Sequence, residues 1–153
     1  MKKYLKAIIY ILFPLIMGGI IGVLFNNRTN FETIIKPVFA PPGIVFPIVW
    51  SILYLLMGIS SCLIYKSNDL EKTSALNTYF LQLIFNFLWT PIFFGLKLYL
   101  IGTIWVFIMI ILVISMIRKF YRINKISAYL QIPYLIWLFF AFVLSFSIFL
   151  LNR

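Results

Sequence analysis

The sequence of 153 residues contains no histidine, one cysteine and three acidic residues. A single cysteine, Cys62, cannot form an intramolecular disulfide framework, and a chain without histidine lacks the ligands of a Cys/His zinc site. The acids Glu32, Asp69 and Glu71 are too few for the paired carboxylates of glycoside hydrolysis or two-metal catalysis. We therefore predict no metal site and no conventional acid–base or covalent catalysis.

Charge is scarce throughout the chain. Only 10% of the residues are charged, 64% are hydrophobic and the mean hydropathy is +1.10, whereas a soluble domain is about 25% charged and about 45–50% apolar. These values exclude an ordinary soluble domain and a disordered chain. The net charge of +10 lies in short clusters between apolar runs. We interpret these clusters as loop charges that set membrane topology, not as a nucleic-acid surface.

Five long uncharged stretches follow one another along the chain. A bilayer core about 30 Å thick needs about 20 helical residues, and backbone in lipid must satisfy its own hydrogen bonds. No stretch alternates apolar and polar residues as barrel strands do. The sequence therefore predicts an all-α integral membrane protein. It forms one domain over residues 1–153, a bundle of five transmembrane helices near 5–25, 44–65, 74–96, 98–118 and 127–150.

The loop charges also predict an orientation. With five spans, the N-terminus and the loops 66–72 and 118–125 share one side, which carries nine of the 13 Lys and Arg residues. The positive-inside rule then places the N-terminus in the cytoplasm of a multi-pass protein of the cell membrane. The other four basic residues are Arg28, Lys36, Lys97 and Arg153.

The connection over residues 26–43 is much longer than the others and contains Pro37, Pro41, Pro42 and Gly43. Prolines prevent a continuous helix and stiffen the chain. Long loops in compact proteins are often lids or binding loops. We therefore predict that this segment is a lid over a cavity, with an inert spacer as the alternative.

The third helix carries polar residues at helical spacing. Gln82, Asn86, Trp89 and Phe93 fall on one face, and an unpaired amide in the membrane is costly, so we expect this face to point into the bundle. The two amides are either hydrogen-bonding links between helices or polar anchors in an apolar ligand cavity. Pro91 is expected to kink the helix.

Two further helices carry aromatic faces. One such face is usually packing, but three in a small bundle favour an aromatic-walled cavity for a large flat apolar ligand. On the first helix, Gly18 and Gly22 form a pair of small residues that permits close helix packing, within one chain or across a dimer. The aromatic faces are Phe46, Trp50, Tyr54 and Met57 on the second helix, and Pro133, Trp137, Ala141 and Ser145 on the fifth.

Three segments resemble motifs of the TspO/MBR family of tryptophan-rich sensory proteins, whose mitochondrial member is the translocator protein or peripheral benzodiazepine receptor. They are KPVFAPPG with FPIVW at 36–50, NFLWTPIFFG at 86–95 and PYLIWLFFA at 133–141. Their order and spacing match the family, and the resemblance covers essentially the whole chain. A short chain that is rich in Ile, Phe, Lys and Asn and lacks a strict sterol motif favours a bacterial member.

The resemblance implies a homodimer of five-helix bundles with a cavity closed by the first loop. It also implies binding of a porphyrin such as protoporphyrin IX or haem, and of benzodiazepine-type ligands. Some bacterial members are reported to promote light-dependent porphyrin breakdown, which makes Trp50 and Trp137 photochemical candidates. Together with the face analysis, the candidate ligand-binding residues are Phe31, Pro41, Pro42, Gly43, Phe46, Trp50, Gln82, Asn86, Trp89, Phe93, Trp137, Ala141 and Ser145.

Three positions depart from the family pattern. Phe39 stands where the loop motif usually has Trp, Trp105 where the fourth helix often has Asp, and Phe146 where the sterol pattern of animal members needs Tyr. These departures weigh against sterol binding more than against porphyrin binding.

The expected function is porphyrin binding in the membrane for the sensing, transport or regulation of tetrapyrroles. The alternatives are light-dependent porphyrin degradation and a lipid-binding or structural bundle. Proton-driven transport is disfavoured because no ionisable Asp, Glu, Lys, Arg or His lies within the five uncharged stretches, which are residues 7–25, 43–65, 73–96, 98–117 and 126–152. The expected partners are a porphyrin, the lipid bilayer and a second copy of the chain, with no nucleic acid.

Overall fold

The computed structural model describes residues 1–25 and 31–153. Residues 26–30, with Arg28 and the start of the predicted lid, lie outside the described residues. The described part is largely helical and contains no strand. Its helices are α1 (Lys2–Leu24), α2 (Val45–Tyr65), α3 (Lys72–Thr90), α4 (Tyr99–Ile123), α5 (Lys125–Leu130) and α6 (Ile132–Leu151), with a π-helical turn at Pro91–Gly95.

Five helical segments are long and apolar enough to cross a membrane, α5 and α6 together forming the fifth over Lys125–Leu151. This confirms the predicted all-α membrane bundle. Two features differ from the sequence expectation. The fourth helix runs past residue 118 to Ile123, because a helix continues beyond the point where its residues cease to be apolar. The fifth span is broken at Gln131, where Pro133 opens α6 and supplies no N–H to continue α5.

Proline also changes the end of the third span. Pro91 follows Thr90, the last residue of α3, and the chain continues as a π-helical turn to Gly95. A proline ring within a helix removes one hydrogen bond and collides with the carbonyl four residues earlier, and the wider turn accommodates it. The backbone of Lys97 then adopts a left-handed conformation with φ of 55° before α4 begins.

Helices α1 and α2 pack against each other, and two glycines permit their close contact. A Cβ atom at Gly58 would overlap the backbone carbonyl of Ile11, and one at Gly18 would overlap the ring of Tyr54. On the other side of the bundle, α4 packs against both α3 and α6. Met57 of α2 and Val113 and Met116 of α4 are fully buried in the core of the bundle.

The described part of the first loop is packed onto one end of the bundle. The buried side chains of Phe31 and Ile34 join a cluster with Phe93 and Phe94 from the third span. Asn152, after α6, holds the loop by two hydrogen bonds. It donates from Nδ2 to the Ile35 carbonyl at 2.9 Å and accepts from the Ile35 N–H at 3.3 Å.

Candidate ligand-binding cavity

A cavity of about 470 Å³ lies at the end of the bundle that the first loop covers. Its lining comes from the C-terminal half of α1, the loop, the N-terminal half of α2 and the end of the third span. The volume falls in the range of small-molecule pockets. No charged side chain lines it among the described residues, so the cavity suits an apolar ligand with few polar groups.

Two parts of the cavity lining have different surfaces. On α1, Gly18, Gly19 and Gly22 present backbone with no side chains, whereas Trp50 and Trp89 contribute broad indole rings from α2 and α3. The Trp50 ring stacks on that of Tyr54, with centroids 5.4 Å apart. The Trp89 indole N–H donates to the Gly102 carbonyl at 3.2 Å, which fixes its ring. The lining therefore combines bare glycine backbone with aromatic rings, and we call this part of the cavity the slot because such a surface favours a flat ligand.

A chain of buried hydrogen bonds joins three helices beside the slot. The Tyr54 hydroxyl donates to the Asn86 Oδ1 at 2.6 Å, and the Asn86 Nδ2 donates to the Tyr134 hydroxyl at 2.8 Å. The Tyr134 hydroxyl in turn donates to the Gln82 Oε1 at 2.9 Å. Tyr54 and Asn86 also line the cavity. Asn86 therefore both links the helices and gives the cavity its amide, so the structure is consistent with both interpretations of this residue.

Replacement of Asn86 by leucine should remove two of these hydrogen bonds and leave the buried Tyr54 hydroxyl without a partner. We expect the free energy of unfolding to fall by about 2 kcal/mol and the melting temperature by roughly 4–8 °C. Thermal unfolding in detergent measures the change.

Gln82→Met is the matched control for that substitution. It removes one hydrogen bond, but it also removes the buried Gln82 Nε2, which has no partner in the described part of the chain. The two effects offset each other, so its melting temperature should fall less than that of Asn86→Leu. A larger loss for Gln82→Met would show that Asn86 is not the centre of the network.

A second, much smaller cavity of about 20 Å³ lies behind the aromatic wall. Trp137, Ala141 and Ser145 of α6 line it, and it shares Phe46 and Trp50 with the main cavity. The Phe46 ring stands 5.8 Å from that of Trp137 and 4.5 Å from that of Phe31. Phe46 thus separates Trp137 from the larger space.

The candidate residues from the sequence fall into three groups in the structure. Six line the main cavity, four line only the smaller one and three line neither. The first six are Phe31, Gly43, Phe46, Trp50, Asn86 and Trp89, the next four are Phe93, Trp137, Ala141 and Ser145, and the last three are Pro41, Pro42 and Gln82.

Other residues of the cavity and of its hydrogen-bond network were not among the sequence candidates. Tyr54 shares a helix face with Trp50, so its spacing already indicated the cavity side, whereas Tyr134 gave no periodic signal and enters through its bond to Asn86. Gly18 and Gly22 were interpreted only as packing residues. Both line the cavity, and Gly18 also packs against Tyr54 of the same chain.

The positions that depart from the family pattern lie outside both cavities. Trp105 stacks on Phe85 with centroids 4.6 Å apart, and its indole N–H donates to the Phe85 carbonyl at 2.7 Å. Phe39 and Phe146 are about half exposed. In the described ranges no three His, Cys, Asp or Glu residues lie close enough to hold a metal ion.

Comparison with known proteins agrees with this architecture. The TspO/MBR family model matches residues 10–151. The chain belongs to the TspO/MBR family. This confirms the resemblance found in the three sequence motifs.

TspO/MBR relatives from distant organisms match over most of their length. The chain is 36% identical to the tryptophan-rich protein TspO of Archaeoglobus fulgidus over 150 residues, 97% of each chain. It is 32% identical to protein CrtK of Rhodobacter capsulatus over 88% of this chain and 86% of that one. With the translocator protein of Bos taurus the identity is 29%, over 85% of this chain and 80% of the relative. Family membership and five spans together make the protein a multi-pass membrane protein in a lipid environment.

Proposed function

We propose that this TspO/MBR protein binds a porphyrin, such as protoporphyrin IX, in the main cavity. The observation that carries the proposal is the slot, which is lined by the glycines of α1 and the rings of Trp50 and Trp89. A porphyrin is a large flat aromatic ring, and stacking on indole adds to the free energy gained by burying its area.

The polar groups beside the slot suit the edges of such a ring. Asn86 and Tyr54 line the cavity, and their hydrogen bonds to each other and to Tyr134 hold them in fixed positions. Lys36 lies over the ring of Phe31, with Nζ 4.7 Å from the ring centroid, and Phe31 lines the cavity. A ligand carboxylate near Phe31 would meet this ammonium group.

The residues that line the cavity favour contacts with the porphyrin ring over ligation of a haem iron. No His, Cys or Met side chain lines the cavity within the described residues, and these are common axial ligands of haem iron. Tyrosine also ligates haem iron in some proteins, but the hydroxyl of Tyr54 donates to Asn86. Binding of protoporphyrin IX without iron should therefore be at least as tight as binding of haem.

The function proposed for this binding is the sensing, transport or regulation of tetrapyrroles. Purified protein in detergent, titrated with protoporphyrin IX in the dark, should show tryptophan quenching that saturates at about one porphyrin per chain. Trp50→Phe should weaken the binding because Trp50 lines the cavity. Trp105→Phe is its matched control because Trp105 lies outside the cavity, and it should leave the affinity unchanged.

Two outcomes of this titration would count against the proposal. Quenching that rises without saturation would mean that the porphyrin only partitions into the micelle, which favours a lipid-binding or structural bundle. An affinity that falls with Trp105→Phe as much as with Trp50→Phe would place the porphyrin outside the cavity. Illumination of the saturated complex then tests the light-dependent activity, since bleaching faster than that of free porphyrin in the same micelles would reveal it.

We also propose that the N-terminus lies in the cytoplasm of a bacterial cell membrane, as the excess of basic residues around Lys2 and Lys3 and in the loops of that side favours. A Lys3→Cys variant tests this orientation, since Cys62 is buried. Labelling of that variant from outside intact cells by an impermeant thiol reagent would contradict it.

A homodimer is the proposed assembly, as the family resemblance implies. The apolar side chains of α1 are mostly exposed, including Ile9, Ile16 and Ile20, so they meet lipid or a second copy. Light scattering in detergent tests the assembly. A protein mass near the 18.0 kDa of one chain would contradict the dimer.

A further inference from the structure

The end of the bundle opposite the cavity carries two grooves that share two arginines. One groove, of about 340 Å³, runs along α4 over Ile111 and Ile114 to Arg118 and Arg122. The other, of about 400 Å³, lies between α4 and the start of the fifth span, and the same two arginines line it. Arg118 and Arg122 are four residues apart, so they stand one above the other on a single helix face.

Both grooves are lined by apolar side chains together with the basic side chains of Arg118 and Arg122. From Ile111 to Arg122 the helix rises about 16 Å, at 1.5 Å per residue, so the first groove reaches from the arginines well into the apolar span. The second is lined by Ile117, Ala128 and Ile132. Isoleucine and alanine surfaces of this shape suit hydrocarbon chains, one on each side of the arginine pair.

The charged side chains that line the two grooves are of one sign. Lys119 lines the first groove, and its ammonium donates to the Thr78 hydroxyl at 2.8 Å and the Ser74 hydroxyl at 3.1 Å. No Asp or Glu lines either groove in the described part of the chain, and no described residue accepts a hydrogen bond from the two guanidinium groups. A zwitterionic headgroup carries a positive group, and no acidic side chain lines the grooves to pair with it. An anionic headgroup carries no such positive group and therefore fits the site better.

Tyrosines mark the level at which a headgroup would sit. Tyr121 and Tyr129 line the second groove with ring centroids 6.1 Å apart, and the Lys125 ammonium lies 5.5 Å from the Tyr121 ring centroid. Tyrosine is enriched where membrane meets water. The arginines therefore lie at headgroup depth, with the grooves leading towards the acyl region.

We propose that Arg118 and Arg122 bind the phosphodiester of one anionic glycerophospholipid, whose acyl chains lie in the two grooves. Arginine pairs with phosphate through two parallel N–H groups, which lysine cannot reproduce. Topology setting and the negative end of the α4 dipole need only positive charge, so replacement of both arginines by lysine distinguishes the two roles.

Native mass spectrometry of the full chain in non-ionic detergent tests the proposal. Dioleoyl phosphatidylglycerol should be retained at least tenfold more tightly than dioleoyl phosphatidylcholine. The double variant Arg118→Gln/Arg122→Gln should lose that preference, and Arg118→Lys/Arg122→Lys should lose about half of it on a logarithmic scale. The control Lys2→Gln/Lys3→Gln removes the same charge from the same side and should stay within threefold of the unmodified protein.

Several results would overturn the proposal. Equal retention of the two lipids by the unmodified protein would do so whether or not the glutamine variant folds. Full preference in the lysine variant, or equal loss in the Lys2/Lys3 control, would show that only net charge matters. Displacement of the lipid by equimolar glycerol 3-phosphate would show that the site binds a phosphate and not a lipid. Protoporphyrin IX binding, at the other end of the bundle, should be the same in all variants.

Discussion

Substitution of Trp50 by alanine is expected to weaken protoporphyrin IX binding roughly thirtyfold. Trp50 lines the main cavity with one broad face and stacks on Tyr54. Removal of the indole takes one stacking surface from a flat ligand, which costs about 2 kcal/mol in buried area and ring contact, and 1.4 kcal/mol is tenfold in affinity. Titration in the dark, followed by the absorbance of the porphyrin, measures the change without depending on tryptophan fluorescence.

Trp137→Ala is the matched comparison, because Trp137 lines only the smaller cavity behind Phe46. Its affinity should stay within about threefold of the unmodified protein, a difference of less than roughly 0.7 kcal/mol, because a ligand in the main cavity makes no direct contact with Trp137. Thermal unfolding of both variants shows whether the fold survives. An equal or greater loss with Trp137→Ala would mean that the porphyrin passes Phe46 and occupies the space between α2 and α6.

Substitution of Gly58 by alanine is expected to be the most destabilising single methyl addition in the bundle. The added Cβ would lie 2.7 Å from the Ile11 Cα and would overlap the Ile11 carbonyl. Backbone cannot move aside as the end of a flexible side chain can, so α1 must separate from α2. We expect a loss of about 3 kcal/mol, seen as a fall of roughly 6–12 °C in melting temperature.

Gly19→Ala controls for the general effect of adding a methyl group to a helical glycine. A Cβ at Gly19 has no neighbouring atom within 4 Å, so only helix propensity changes, and alanine is better there by about 0.8–1 kcal/mol. Its melting temperature should be unchanged or slightly higher. If Gly19→Ala destabilised the protein as much as Gly58→Ala, close contact between α1 and α2 would not explain either result.

The fold was predictable because backbone in lipid must satisfy its own hydrogen bonds, which permits few structures. Five apolar stretches of sufficient length define five spans without any knowledge of which helices meet. The break at Gln131 was not predictable from hydropathy, since the residues on both sides are apolar, and only Pro133 indicated it. The extension of α4 to Ile123 was missed because charged residues end an apolar stretch without ending a helix.

The candidate site was predictable only to the level of helix faces. Periodicity placed Asn86 and Trp89 on one inward face, and both line the main cavity. Gln82 shares that face but lies outside both cavities, bonded to Tyr134. Which inward residues meet a cavity depends on the distances between helices, and those depend on contacts such as Gly58 with Ile11, which spacing along one helix cannot give.

A structure of the protein with protoporphyrin IX, prepared in the dark, tests the central claim most directly. The account predicts the porphyrin ring between the glycines of α1 and the indoles of Trp50 and Trp89, with one ring edge beside Asn86 and with Phe31 in contact with the ring. A porphyrin bound on the lipid-facing surface, with the slot still empty, would contradict it.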